Sequence, residues 1–333
     1  MKIRHTFAYI IAASVALPLL GAFASAATIE LLEAFDYPGA GRLTQPQKIN
    51  DNGDIVGTVI DATTGESRGF LRGRGGQFSG GFVEPNDTGM LTQGRAINNA
   101  RVICGVYGNG SDGSSHGFFL THRTFTEYDA PGVVDTFLLG INNAGDFAGS
   151  ISDPTFQDGF VSLGGTITAF TVPGASATIA NNLNASNQTQ GFYVDAADDT
   201  VHGFLRDSDG TLTYPIDPAG AVETVLFGNN DANWVVGRYA DASGITHGLF
   251  FTTPGEYVTF DFPGSTFTSL NGINQQGYIC GRYVDSSGGQ HGFIAKVNPN
   301  GTSEPNKNSV LPVTPIKPVQ PSPAKSGIGT PAS

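Results

Sequence analysis

The sequence predicts an all-β protein, a six-bladed β-propeller of four-stranded blades. One unit recurs six times, with Thr, Asn and Gly at fixed offsets. Each unit reads as four short strands divided by Gly, Asn, Asp and Ser, the residues of hairpin turns. The chain enters the repeat on a fourth-strand sequence and leaves it after a third. Its N-terminal strand can therefore complete the last blade, close the ring and remove two sheet edges.

The repeat is clearest in the first strand. The threonines are Thr44, Thr92, Thr136, Thr178, Thr224 and Thr268, and six residues after each stands Asn50, Asn98, Asn142, Asn184, Asn230 or Asn274. Seven residues further, in the second strand, come Gly57, Gly105, Gly149, Gly191, Gly237 and Gly281. A second glycine follows at Gly69, Gly117, Gly159, Gly203, Gly248 and Gly292. Successive threonines lie 42 to 48 residues apart, the length of a propeller blade. Thr suits an innermost strand, Asn can hydrogen-bond its own turn, and Gly admits a neighbouring backbone or ring, so these marks read as structural. Along the second strand Ile279, Gly281 and Tyr283 point one way and Cys280, Arg282 and Val284 the other. The entering strand is Ile29 to Gly39; the last third strand is His291 to Val297.

Flanking segments differ in kind. Residues 1–26 read as a secretory signal: Lys2 and Arg4, an apolar run from Phe7 to Phe23, then Ala24-Ser25-Ala26 as the cleavage site. Residues 27–298 form the propeller. Residues 299–333 are rich in Pro, Ser, Thr and Lys and read as an extended, disordered tail. No later stretch is long enough to span a bilayer, so the mature chain carries no transmembrane segment. A net charge of −12 argues against nucleic acid and anionic membranes as partners.

The two cysteines occupy one repeat position. Cys104 and Cys280 each precede the second-strand Gly, where other units have Val56, Ala148, Gln190 and Val236. In blades two and six their strands would lie roughly 20 Å apart, from ~4.8 Å strand spacing, too far for a disulfide. Free, buried thiols are expected.

The third strands open on His116-Gly117-Phe118, His202-Gly203-Phe204, His247-Gly248-Leu249 and His291-Gly292-Phe293, with Arg68-Gly69-Phe70 and Asp158-Gly159-Phe160 as variants. With the Ile-Asn and Gly marks, this resembles the HAF-repeat family of bacterial extracellular proteins, Gly standing where that family's name has Ala. The resemblance covers residues 29–297 and implies a secreted repeat protein with no established activity.

The histidines fall on different blades, too far apart to share a metal ion. Asp195, Asp241 and Asp285 precede His202, His247 and His291 by six or seven residues, and an Asp–His latch within each blade is expected. The Asp-Ser-Gly loops lack the alternating acidic ligands of a calcium site. There is no nucleophile elbow, phosphate loop, paired-cysteine metal motif or His-Glu-x-x-His helix, and no cofactor or metal is implied.

Departures from the repeat are the functional clues. The residue before each Thr should ring the channel mouth: Leu43, Leu91, Asp135, Ala177, Glu223 and Phe267. Asp135 and Glu223 could face one another there, with Arg42 and Arg95 also near the axis. Trp234, the sole tryptophan, replaces polar residues in the turn after a first strand; packing is the expected role, and an exposed ring there could stack on a sugar. With no catalytic signature, the chain reads as an extracellular binding or scaffold module for an unidentified glycan or protein ligand. Asp135 and Glu223 as acid and base would make it a glycan-active lyase or hydrolase; reliance on the tail would make it a structural surface component.

Overall fold

A computed structural model describes residues 27–39 and 41–299. The signal-like segment and the Pro-rich tail therefore lie outside the described residues, apart from Pro299. Those described fold into twenty-four β-strands and no helix. Strand β1 (Thr28–Phe35) comes first. Unit one is β2 (Arg42–Ile49), β3 (Ile55–Asp61), β4 (Ser67–Arg72) and β5 (Phe78–Phe82). Unit two is β6 (Gln93–Ile97), β7 (Ile103–Gly108), β8 (Ser115–Thr121) and β9 (Thr124–Tyr128). Unit three is β10 (Asp135–Ile141), β11 (Phe147–Asp153), β12 (Phe156–Leu163) and β13 (Thr166–Phe170). Unit four is β14 (Ala175–Leu183), β15 (Thr189–Asp195), β16 (Val201–Arg206) and β17 (Leu212–Ile216). Unit five is β18 (Ala221–Asn229), β19 (Val235–Asp241), β20 (Thr246–Phe251) and β21 (Tyr257–Phe260). Unit six is β22 (Phe267–Ile273), β23 (Tyr278–Val284) and β24 (Gln290–Asn298).

Strands pair antiparallel in chain order within each unit, and β1 pairs antiparallel with β24, supplying unit six with its fourth strand. Three units are separate four-stranded sheets, whereas the other three join into one sheet of twelve. Single parallel bridges make the junctions, Val201 to Glu223 and Thr246 to Phe267. The start of one unit's third strand meets the start of the next unit's first strand there. An isolated bridge from Ser67 to Leu91 repeats the contact between units one and two.

The Thr and Asn marks make definable bonds, with Thr224 the exception. Thr44, Thr92, Thr136, Thr178 and Thr268 accept a hydrogen bond on Oγ1 from a backbone N–H in the segment leaving the preceding fourth strand, at 2.9–3.1 Å. Thr224 Oγ1 is buried without a partner. The residue in the donor's place is Pro218, which has no N–H.

Each Asn works twice. Asn274 Oδ1 accepts from Gln276 N and Tyr278 N in its own turn, while its Nδ2 donates to Asn50 O of unit one at 3.1 Å. Nδ2 of Asn50, Asn98, Asn142, Asn184 and Asn230 likewise donates to the carbonyl of the next unit's Asn, at 3.0–3.3 Å. The six amides thus form a hydrogen-bond chain that returns to its start.

All six first strands carry a β-bulge at the same place, after the second residue beyond the Thr. The unpaired residue is Gln47, Arg95, Leu139, Asn181, Phe227 or Asn271. A bulge re-aims a side chain, and the carbonyl before it presses on the second strand. A Cβ at Gly149 would lie 1.8 Å from Phe137 O, and one at Gly281 2.4 Å from both Ser269 O and the Phe293 ring. Only Gly fits. The Phe after the second glycine (Phe70, Phe118, Phe160, Phe204, Phe293) is fully buried over this point, and apolar clusters fill the seams between adjacent units.

Candidate functional site

The innermost strands enclose a cavity of about 550 Å³ at the end where the threonine strands begin. Three registers of units two to five line it, the residues one and three after the Thr and the residue after the second-strand Gly, and unit six adds Arg282 from the last of these. Most are neutral, as in Phe137, Ile179, Val225, Ser150 and Phe192. Charge enters at four positions. Arg95 is the bulged residue of β6; Arg238 and Arg282 follow the glycines of β19 and β23; Glu223 stands before Thr224.

Arg238 Nη2 donates to Glu223 Oε1 at 2.7 Å, and its guanidinium lies 5.5 Å from the Phe267 ring centre. Arg282 sits 5.1 Å from the same ring and makes no hydrogen bond or ion pair with the described residues. Arg95 reaches only Gln93 Oε1, at 3.5 Å. Burial lowers Arg95 to about 10. Burial, then Arg238 and Arg95, lowers Arg282 to about 10. Both stay charged at neutrality. Lys48 extends from β2 of unit one to unit five and donates from Nζ to Phe227 O at 2.7 Å. Burial, then Arg95, brings it down to about 7. Beyond it, at the asparagine end, lies a smaller cavity of about 70 Å³.

The expected mouth residues separate. Glu223 and Arg95 reach the cavity together; Leu91 lines it too. Asp135 does not line it. Its carboxylate accepts from Ser115 N at 2.8 Å and Ser152 Oγ at 2.9 Å, tying unit two to unit three. The expected facing of Asp135 and Glu223 is thus corrected, because local donors claim Asp135. Arg42 opens β2 opposite Asp61, and its side chain lies outside the described residues. Trp234 is packed rather than presented: it meets Phe250 edge-on at 6.3 Å and lies among the unit five and six core, at the asparagine end. Cys104 and Cys280 are free and fully buried, and burial pushes each thiol up to about 12.

The histidine latch also differs in part. His247 and His291 do contact Asp241 and Asp285 through Nε2, at 3.3 and 3.1 Å. His202 instead meets Thr200 Oγ1 at 2.7 Å, and no contact joins it to Asp195, whose carboxylate caps the hairpin at Ala197 N. The partner common to all four histidines is an Asp leaving the fourth strand. Nδ1 of His116, His202, His247 and His291 lies 2.7–3.0 Å from Asp129, Asp217, Asp261 and Asp36. In unit three, with Asp158 in the His position, Thr171 Oγ1 donates to that carboxylate at 2.5 Å. The sequence signal was the Asp one or two residues before the Pro that follows the fourth strand. Among the described residues no three His, Cys, Asp or Glu converge as metal ligands.

No protein-family model and no curated protein matches the chain. Solved structures do. A protein assigned as TolB from Agrobacterium tumefaciens aligns over 82% of this chain and 99% of its own, with TM-score 0.55 and 11% identity. The Aleuria aurantia lectin, in complex with Fucα1-6GlcNAc, aligns over 78% and 97%, with TM-score 0.47 and 11% identity. Virginiamycin B lyase from Staphylococcus aureus aligns over 82% and 99%, with TM-score 0.45 and 11% identity. The first likeness shows the fold, a propeller-type array of four-stranded sheets.

Proposed function

We propose that the chain is a six-bladed β-propeller, sealed by its N-terminal strand, that acts outside the cell as a binding module with the axial cavity as its ligand site. The observation that carries the site is the cavity. It has the volume of a small-molecule pocket, apolar walls and a few converging polar groups, the usual make-up of such sites. The asparagine chain that returns from Asn274 to Asn50 and the β1–β24 pairing support closure. Export rests on the signal-like segment, kinship with the HAF-repeat family on the His-Gly-Phe marks.

Glycan hydrolysis needs two carboxylates about the scissile bond. Among the described residues lining the cavity Glu223 is the one carboxylate, and Arg238 occupies it. Binding is therefore the function the cavity supports.

The test is thermal unfolding of the secreted chain against a panel of extracellular glycans and small metabolites. A ligand specific to the native state adds ~2.7 kcal/mol at a hundredfold excess over its dissociation constant. The shift is expected to vanish in Leu91→Trp, which fills the half-exposed rim. A shift that survives Leu91→Trp places the ligand elsewhere and refutes the cavity as the site.

A further inference from the structure

We propose that Arg95, Arg238 and Arg282 form an anion-binding site at the cavity mouth, taking the carboxylate or phosphate of a small organic molecule whose ring or apolar body lies against Phe137 and Phe192. This deepens, and rests on, the reading of the cavity as the ligand site.

The first ground is charge. The chain carries 29 acidic and 17 basic residues, yet this cavity wall presents three guanidinium groups and one carboxylate. Glu223 neutralises Arg238 only. The second is unused donor capacity. Arg238 Nε and Arg282 Nε are buried and unpartnered, and Arg282 has no hydrogen bond to any described residue. A guanidinium offers five N–H donors, and holding one away from water unpaired is costly. The third is convergence. Arg95, Arg238 and Arg282 come from units two, five and six to line one cavity, and Arg238 and Arg95 both make Arg282 harder to keep protonated. An anion among them would relieve that repulsion and fill the open donors.

The fold does not require these cations. The position after the second-strand Gly is Thr58, Val106, Ser150 and Phe192 in the other units, and the bulged position is Gln47, Leu139, Asn181, Phe227 and Asn271. Neutral residues thus serve the same backbone. The planar fork of Arg suits carboxylate and phosphate, which accept two parallel N–H bonds. The apolar walls and the volume leave room for an organic body behind the charged group.

The experiment is isothermal titration of the full chain with benzoate and with phenyl phosphate, beside uncharged benzyl alcohol and benzamide, and inorganic phosphate. One of the two aromatic anions is expected to bind one per chain, at least about tenfold tighter than the uncharged compounds and more weakly as salt rises. Arg282→Gln and Arg95→Gln should each lose about tenfold or more. Arg101→Gln, at the asparagine end where Arg101 pairs with Asp54, should not. Arg282→Gln should also unfold no earlier than the wild type, since it removes an unpaired cation. The preference between benzoate and phenyl phosphate identifies the oxyanion; inorganic phosphate binding as well as either aromatic anion would overturn the role of the apolar walls. Uncharged compounds binding as tightly as the anions would overturn the proposal while leaving the cavity as a ligand site. Binding of none, with Arg282→Gln destabilised, would overturn it in favour of a structural Arg282.

Discussion

Replacing Asn274 by Asp tests whether unit six is bonded to unit one. Asn274 is 3% exposed. Its Oδ1 accepts from Gln276 N and Tyr278 N, which an aspartate also allows. Its Nδ2 donates to Asn50 O at 3.1 Å, where an aspartate sets a second oxygen against a carbonyl. The lost bond is worth about 1 kcal/mol and the stranded carbonyl about 1–3 more, so a deficit of about 2–4 kcal/mol is expected near neutrality. Protonation reverses it, because a neutral carboxyl donates where the amide did. Burial and the facing carbonyl raise the pKa of the new acid in the folded state. The deficit is therefore full above that raised value and shrinks as pH falls through it towards ~3.9, the unfolded value. The assay is urea unfolding of wild type, Asn274→Asp and Asn98→Asp at neutral and mildly acidic pH. Asn98 makes the same three bonds, but to the unit that follows it in sequence. Equal, acid-relieved deficits are expected. A deficit in Asn98→Asp alone would refute the closing bond, and with it the sealed ring.

Three further outcomes follow from the same geometry. Thr178→Val should cost about 1–3 kcal/mol in denaturant unfolding, because it strands the N–H of buried Val172, whereas Thr224→Val should be neutral or stabilising because Pro218 offers no N–H. Glu33→Ala should cost about 3–5 kcal/mol in the same assay, since it leaves the 3%-exposed Arg72, now paired with Glu33 at 2.5 Å, as an uncompensated buried cation. Asp36 and then Asp285 raise the pKa of His291 from 6.5 against the opposing effect of burial. Its stabilisation is complete below 6.5 and is lost as pH rises through the folded value, so His291→Gln should flatten that part of the stability–pH profile.

The marks legible in the sequence are those set in the same backbone surroundings in every unit, although the Thr bond is made in five of the six. Thr44 and its equivalents bind the preceding fourth strand, Asn50 and its equivalents bind the next unit, and Gly57 and its equivalents yield to the carbonyl before the bulge. Identical backbone surroundings select identical residues, so spacing alone exposed them. Arg238 and Arg282 were hidden for the opposite reason. They occupy a register whose residue differs in nearly every unit, and only the observed cavity lining shows where that register faces. Alternation did place Arg282 opposite Gly281, but not towards solvent, core or axis. Glu223 was legible because the residue before the Thr has to approach the axis, and Arg95, three residues after Thr92, because it lies on the same first-strand stretch. Asp135 shares Glu223's register and was misread, because Ser115 N and Ser152 Oγ offer two donors that sequence separation conceals.

This division of labour bears on how function is placed in such a chain. The bonds that hold each unit run through the Thr, the Asn and the two glycines. The axial registers lie between those positions and contribute little to them, so they can vary without loosening the sheet. Free variation alone would favour side chains that pack or find partners, as Leu139 and Asn181 do. Arg282 finds no hydrogen-bond or ion-pair partner among the described residues: an aromatic ring and cationic neighbours stand beside its guanidinium, and its buried Nε is unpaired. A half-buried cation with a buried, unpaired Nε opposes folding. A residue that works against stability where the fold permits many substitutes is best accounted for by something it binds.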